Sequence, residues 1–182
     1  LRSRAGDLGL PFQFEQVSIE DLIERESLPD RCVVDIPAGD VLMGVGSKTS
    51  GESAGRNIVE CASACSRGYI DAMVTAPINK KFFQEGGFPF PGHTEFLAHL
   101  SGASEIAMAF LTDRLKVVLT TIHVPLRVVA ESLSADQVYE KLRLILTQFP
   151  RFGLPCGKIA VAGLNPHAGE SGIMGAEDIE RI

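Results

Sequence analysis

No run of apolar residues in this sequence approaches the roughly 20 needed to cross a bilayer as a helix, so no membrane span is expected. Positive charge is not in excess: 17 Lys and Arg stand against 23 Asp and Glu, a formal charge of −6. A chain with that balance lacks the basic footprint of a nucleic-acid binder or a polybasic membrane anchor. The opening Leu1-Arg2-Ser3-Arg4-Ala5-Gly6-Asp7 has no apolar stretch behind it, which argues against a signal peptide, and no initiator methionine, which suggests a piece of a longer protein. The four cysteines, Cys32, Cys61, Cys65 and Cys156, form no C-x-x-C pair. They read as free, mostly buried thiols in a reducing cytoplasm, Cys61 and Cys65 lying one helical turn apart on one side. There is no internal repeat, no G-x-G-x-x-G or Walker fingerprint, and no G-x-S-x-G elbow, so neither a nucleotide loop nor a hydrolase nucleophile is signalled.

What is present is an alternation. A chain of 182 residues, 45% hydrophobic, has enough surface to bury for a core without disulfides, and suits one domain or one plus part of another. Val17–Arg25 reads as a short helix capped by Ser18, and Arg31–Ile36 as a strand stopped by Pro37. A long helical pattern runs from about Gly51 to Arg67, with Gly68 as its stop. Tyr69–Thr75 reads as a buried strand ending at Ala76-Pro77, and Thr94–Leu100 as a short helix. Ile106–Leu111 and Leu115–Ile122 are two strands around the turn Thr112-Asp113-Arg114, suited to a hairpin. Ser134–Phe149 is an amphipathic helix with Val138, Leu142, Ile145 and Phe149 on one face, ended by Gly153 and Pro155. Lys158–Leu164 is another apolar strand, and a helix begins at Ala176-Glu177-Asp178. Apolar strands alternating with helices predict an α/β protein with a largely buried sheet, whose ligands gather at the carboxyl edges of the strands.

Four histidines are available: His93, His99, His123 and His167. His93 and Thr94 follow the stiff loop Phe88-Pro89-Phe90-Pro91-Gly92 into a helix, where side chain and backbone N–H groups can face an anion; the plainer alternative is a helix cap beside a surface histidine. His123, before Val124-Pro125, and His167, in Asn165-Pro166-His167-Ala168-Gly169-Glu170, each follow an apolar strand. The proline is expected to force an extended backbone at His123 and stop the strand. Neutral imidazoles at such edges suit a divalent metal, and equally suit satisfied polar positions at strand ends. His99 sits mid-helix with no partner pattern and reads as a solvated or core-edge histidine. Lys80-Lys81 offers charge to a phosphate or forms a solvated helix face. Gly169–Gly175 reads as a flexible loop that could wrap an anion.

Four segments occur together and in order: Thr75-Ala76-Pro77-Ile78-Asn79-Lys80-Lys81, Gly92-His93-Thr94-Glu95-Phe96, Thr120-Thr121-Ile122-His123-Val124-Pro125-Leu126, and Leu164-Asn165-Pro166-His167-Ala168-Gly169-Glu170. They are joined by Gly172, Gly175 and Glu177-Asp178. The set resembles the 4-hydroxythreonine-4-phosphate dehydrogenase (PdxA) family of pyridoxal phosphate biosynthesis. The resemblance runs from about Gly44 to the last residue and more loosely back to Leu1.

This resemblance implies an α/β/α fold like that of the isocitrate and isopropylmalate dehydrogenases, with residues 1–45 as part of a terminal domain and 46–182 as a truncated central metal and substrate domain. It implies a cytoplasmic homodimer that uses NAD and a divalent metal (zinc, magnesium or cobalt) on a phosphorylated small-molecule substrate. The implied reaction is oxidation of 4-phosphohydroxy-L-threonine to 2-amino-3-oxo-4-phosphooxybutanoate, which decarboxylates to 3-amino-2-oxopropyl phosphate. His93 and Thr94 match the family's substrate-binding pair, and His123 and His167 match two of its three metal histidines. The third histidine and most NAD contacts have no counterpart in these residues, so the chain reads as an internal fragment that is catalytically silent alone. Ile122 replaces the threonine usual before the first metal histidine. Two other readings are a dehydrogenase of a phosphorylated four-carbon sugar acid (4-phosphoerythronate or 4-phosphothreonate) and a non-catalytic ligand-binding module.

Overall fold

The computed structural model describes residues 2–24 and 27–182, and the chain packs as two compact units, residues 1–104 and 105–182. The boundary expected near residue 45 concerns domains of the family fold; the packing of this chain by itself divides between Ser104 and Glu105.

The first unit begins with helix α1 (Arg2–Asp7), strand β1 (Glu15–Val17), helix α2 (Ile19–Glu24) and strand β2 (Cys32–Val34). Ser18 caps α2 as expected: Asp21 N–H donates to Ser18 Oγ at 3.0 Å, and Ser18 N–H donates back to the Asp21 carboxylate at 2.9 Å. The strands β1 and β2 pair in parallel with Glu15 opposite Cys32; β1 was not expected, because three residues are too few to show a period. Helix α3 (Lys48–Ser66) starts three residues earlier than its apolar pattern, because Ser47 and Ser50 form a reciprocal capping box. It ends where Gly68 turns left-handed (φ 75°) and donates to the Cys65 carbonyl.

Helices α4 (Lys80–Glu85) and α5 (His93–Ser101) pack on α3 through glycine. A Cβ on Gly51 would fall 1.7 Å from the Phe82 carbonyl oxygen, and one on Gly55 would fall 1.9 Å from the Phe88 ring. One turn of α3 is thus left bare so that the α4 backbone can approach it. The core built over this contact is aromatic. Phe83 is fully buried, and its ring centroid lies 5.1 Å from Phe88 and 5.3 Å from Phe96, with Ile58 of α3 completing the cluster. Burial on that scale stabilises by roughly 1.5–3 kcal/mol per large side chain. His99 stands at the rim, exposed, with its ring 5.0 Å from Phe90, as the core-edge reading expects.

The second unit opens with the expected hairpin: β3 (Ala109–Leu111) and β4 (Lys116–Val118) pair antiparallel, and Thr112 N–H donates to the Leu115 carbonyl at 2.9 Å across the turn. Helix α6 (Leu126–Ser132), which the sequence did not signal, follows Pro125 at its N-cap. Helix α7 (Ala135–Gln148) starts at a Ser134–Gln137 capping box and buries Val138. A 3-10 turn over Phe149–Phe152 then meets Gly153 at φ 68°, where the helix was expected to stop. Helix α8 (Glu177–Glu180) closes the unit.

Two expected strands, Tyr69–Thr75 and Lys158–Leu164, take part in no ladder among the described residues. Among the described residues sheet pairing consists of two two-stranded ladders, and these runs form no buried sheet there. An apolar run records what can be buried and not which strand will lie beside it. Accordingly Val74 is 98% exposed and Val161 is 48% exposed. The cysteines are free, as expected, but half-buried rather than buried.

Candidate functional site

Each unit carries one group of the singled-out residues. In the first, Gly92 is the N-cap of α5 and offers no side chain, so His93 and Thr94 form the first turn of the helix with no side chain bonded over its N–H groups. The alternative in which Thr94 is a cap is therefore not realised. His93 is half-buried, and its Nε2 is wholly buried with no hydrogen-bond partner. An unpartnered buried nitrogen costs about 1–3 kcal/mol, which a ligand group can recover.

His93 forms part of the wall of a cavity of about 320 Å³ shared with α3 (Asn57, Ile58, Cys61) and with the Met73–Ile78 segment. That segment overlaps the end of the run read as a strand, Tyr69–Thr75, and lines the cavity without forming a strand. The lining is mostly apolar, with Asn57, Thr75 and His93 as its polar members. Beside Gly92 lie the Glu95 carboxylate and the aliphatic arm of Lys80, 3.6 and 3.8 Å from where a Cβ would stand. Lys80 and Lys81 are both exposed on α4, and Lys81 pairs with Glu85 at 3.9 Å, in keeping with the solvated-face reading. Burial pushes the Cys61 thiol above its ordinary value, and the neighbouring Cys65 adds to the rise.

In the second unit His123 and His167 are both exposed, and both adopt the left-handed backbone, at φ 56° and 52°. The expectation of an extended His123 is corrected: Pro125 restricts Val124, the residue directly before it, and leaves His123 free to turn. The ladder of β4 stops at Val118, short of the histidine. At the second histidine the departure is larger. His167, Ala168, Gly169, Glu170 and Ser171 are all left-handed, five residues in succession. Four of them carry a Cβ, each at a cost of roughly 1–2 kcal/mol against the right-handed form. Such strain persists only where surrounding contacts over-determine it. Gly169 is buried at the centre of the turn, and Met174 N–H donates back to its carbonyl at 3.0 Å, so the loop read over Gly169–Gly175 begins as a hydrogen-bonded turn whose other residues up to Met174 are exposed.

The contacts that hold the turn come from α8. Asp178 accepts the Leu164 N–H at 2.8 Å on Oδ1 and the Asn165 N–H at 3.0 Å on Oδ2, and Glu177 accepts the Asn165 side-chain N–H at 3.0 Å. Burial works to raise the Asp178 carboxyl, but the Asn165 and Leu164 donors outweigh it and hold the group below the ordinary carboxylate value. As ligands, the two exposed imidazoles fit a first-row divalent ion in kind. Such sites take more than two protein ligands, and among the described residues no group of three His, Cys, Asp or Glu side chains is assembled.

Set against solved structures, the chain has the α/β fold of a class of dehydrogenases. It superposes on the 4-hydroxythreonine-4-phosphate dehydrogenase of Klebsiella pneumoniae with a TM-score of 0.86 at 34% identity, covering 98% of this chain and 55% of that one. The corresponding Burkholderia phymatum protein gives 0.80 at 31% identity over 100% of this chain and 56% of that one. The sequence matches the family described as "Pyridoxal phosphate biosynthetic protein PdxA" over residues 1–182, and the chain belongs to that family. It is 37% identical, along its whole length, to the Pseudomonas aeruginosa protein named 4-hydroxythreonine-4-phosphate dehydrogenase, of which it spans 56%. The chain thus spans a little over half the length of the curated relatives it matches.

Sequence reasoning missed Asn57 and Thr75 as cavity residues, and it used Glu177-Asp178 only as part of a motif. The spacing Gly163, Gly169, Gly175 was the available signal: each glycine admits a close neighbour from this turn or from α8.

Proposed function

We propose that this chain carries part of a metal- and NAD-dependent 4-hydroxythreonine-4-phosphate dehydrogenase. In this reading 4-phosphohydroxy-L-threonine is oxidised to 2-amino-3-oxo-4-phosphooxybutanoate, which loses CO₂ to give 3-amino-2-oxopropyl phosphate. The observation that carries it is the buried, unpartnered Nε2 of His93 at a cavity wall, at the position matching the family's substrate-binding His-Thr pair. His93 supplies a ring nitrogen, and the first turn of α5 supplies N–H groups to an anionic part of the substrate. Ile58, buried beneath the cavity, gives that contact an apolar floor.

His123 and His167 are the metal-binding residues in this chain, presented from left-handed turns, with the third histidine contributed from outside these 182 residues. The chemistry supplied there by a bound divalent ion and by NAD is a lowered hydroxyl pKa, polarisation of the forming carbonyl, and acceptance of the hydride. The reading includes a homodimer in the cytoplasm, and the four free cysteines support a reducing compartment.

The test is NADH appearance by absorbance with the full-length protein, offered 4-phosphohydroxy-L-threonine and the 4-phosphorylated sugar acids, with added Zn²⁺, Mg²⁺ or Co²⁺ and with chelator. Turnover of the first substrate, abolished by chelator, is the expected result. Turnover of the sugar acids alone moves the substrate assignment, and no turnover of any overturns the reading.

A further inference from the structure

The packing behind His167 bears on how that histidine is aimed. Its left-handed turn follows two residues, Leu164 and Asn165, whose backbone N–H groups are both taken by one carboxylate, that of Asp178. A carboxylate is the one side-chain group that presents two equivalent acceptors and no donor, so two N–H groups arriving side by side fit it fully. Glu177 adds a third contact through the Asn165 amide. Glycines make the fit possible. A Cβ on Gly163 would stand 2.9 Å from Asp178 Oδ1, one on Gly175 would stand 2.3 Å from the Glu177 carboxylate, and one on Gly169 would stand 2.6 Å from the Gly175 carbonyl oxygen. The Gly163–Asn165 segment, the left-handed turn and the two acids therefore interlock as one body, with the imidazole of His167 carried exposed on its surface.

We propose that Asp178, supported by Glu177, is a positioning residue for His167, holding the Leu164–Asn165 backbone so that the imidazole stands where a divalent cation takes it. Asp178 touches neither cation nor substrate in this role. The inference rests on the reading of His167 as a metal ligand and adds what fixes that ligand in place. Residues that orient a ligand from behind set affinity: their loss commonly weakens metal binding about 10–100-fold.

The experiment is titration of the full-length protein with Co²⁺, following its visible ligand-field absorption, for the unaltered protein and for Asp178→Asn, Asp178→Glu, Glu177→Gln and His167→Ala. Asn at 178 keeps the shape but turns an NH₂ toward one of the two N–H groups. It is expected to weaken Co²⁺ about 10–100-fold while the band shape, read at saturating Co²⁺, stays that of the unaltered protein. Glu at 178 keeps both acceptors but displaces them by a methylene, and falls between the two; it carries the test if Asp178→Asn does not fold. Gln at 177 can still accept from Asn165 and changes affinity less than about threefold. His167→Ala loses a ligand, with both affinity and band shape changed. If His167→Ala binds Co²⁺ as the unaltered protein does, the metal-ligand reading fails. If His167→Ala loses it while folded Asp178→Asn and Asp178→Glu keep full affinity, the positioning role fails and the reading of His167 stands.

Discussion

The two histidine settings of this chain are built by opposite means. His93 is carried on α5, whose inner face is Phe96, packed into a cluster with Phe83, Phe88 and Ile58. Its position is fixed by apolar volume and by the bare glycine turn of α3. His167 stands on a turn in which Gly169 alone is buried, fixed by three hydrogen bonds to two carboxylates. Apolar packing is non-directional and tolerates small repacking, whereas a carboxylate matched to two N–H groups fixes direction. The difference suits the two roles proposed above: a nitrogen offered to substrate from a largely apolar wall, and a metal ligand with an aimed lone pair.

The largest expected effect is on the apolar side. Phe83→Ala empties the centre of the ring cluster and is expected to destabilise the first unit by about 3–5 kcal/mol. Denaturant melts followed by circular dichroism, with hydrogen exchange at Leu164 and Asn165 unchanged, would sharpen the contrast; loss of protection at those two amides would break it. Gly169→Ala is the polar counterpart. It places a Cβ at φ 78° and 2.6 Å from the Gly175 carbonyl oxygen, and is expected to cost about 1–3 kcal/mol. The same two amides should exchange faster while the α5 amides stay protected.

A smaller effect follows from pH. Because the Asp178 carboxyl is held below its ordinary value, its contribution is complete above the ordinary carboxylate range. It is lost only as pH falls through the lowered folded value, below pH 3.8, so an acid titration of the turn by carboxyl-labelled NMR should show Asp178 titrating below free aspartate. The smallest is chemical. The raised Cys61 thiol carries less thiolate than a free cysteine, so at pH 8 iodoacetamide should label it more slowly than free cysteine, with Cys65→Ala narrowing the gap.

Local signals in the sequence, the β3–β4 hairpin included, carried far, and long-range pairing signals did not. The Ser18 and Ser134 caps, the Gly68 and Gly153 stops and the Thr112 turn are set by a few neighbouring residues, and each forms where read. The partners of Tyr69–Thr75 and Lys158–Leu164 are long-range facts that no apolar run encodes. Among the site residues, His93 was legible as a helix-start residue, but its unpartnered nitrogen depends on walls from α3 and the Met73–Ile78 segment. The left-handed turns at His123 and His167 were invisible because non-glycine residues seldom adopt them, and only at His167 do neighbouring glycines hint that space is needed.

The division of labour between the two settings is tested most directly by calorimetric titration of the full-length protein, first with Co²⁺ and then with 4-phosphohydroxy-L-threonine, comparing His93→Ala with His167→Ala. The account predicts that His93→Ala binds Co²⁺ like the unaltered protein and loses about tenfold or more in substrate affinity, the worth of one recovered polar contact. It predicts that His167→Ala loses the cation. A His93→Ala protein that loses Co²⁺ as severely as His167→Ala, or a His167→Ala protein that keeps it, would contradict the account.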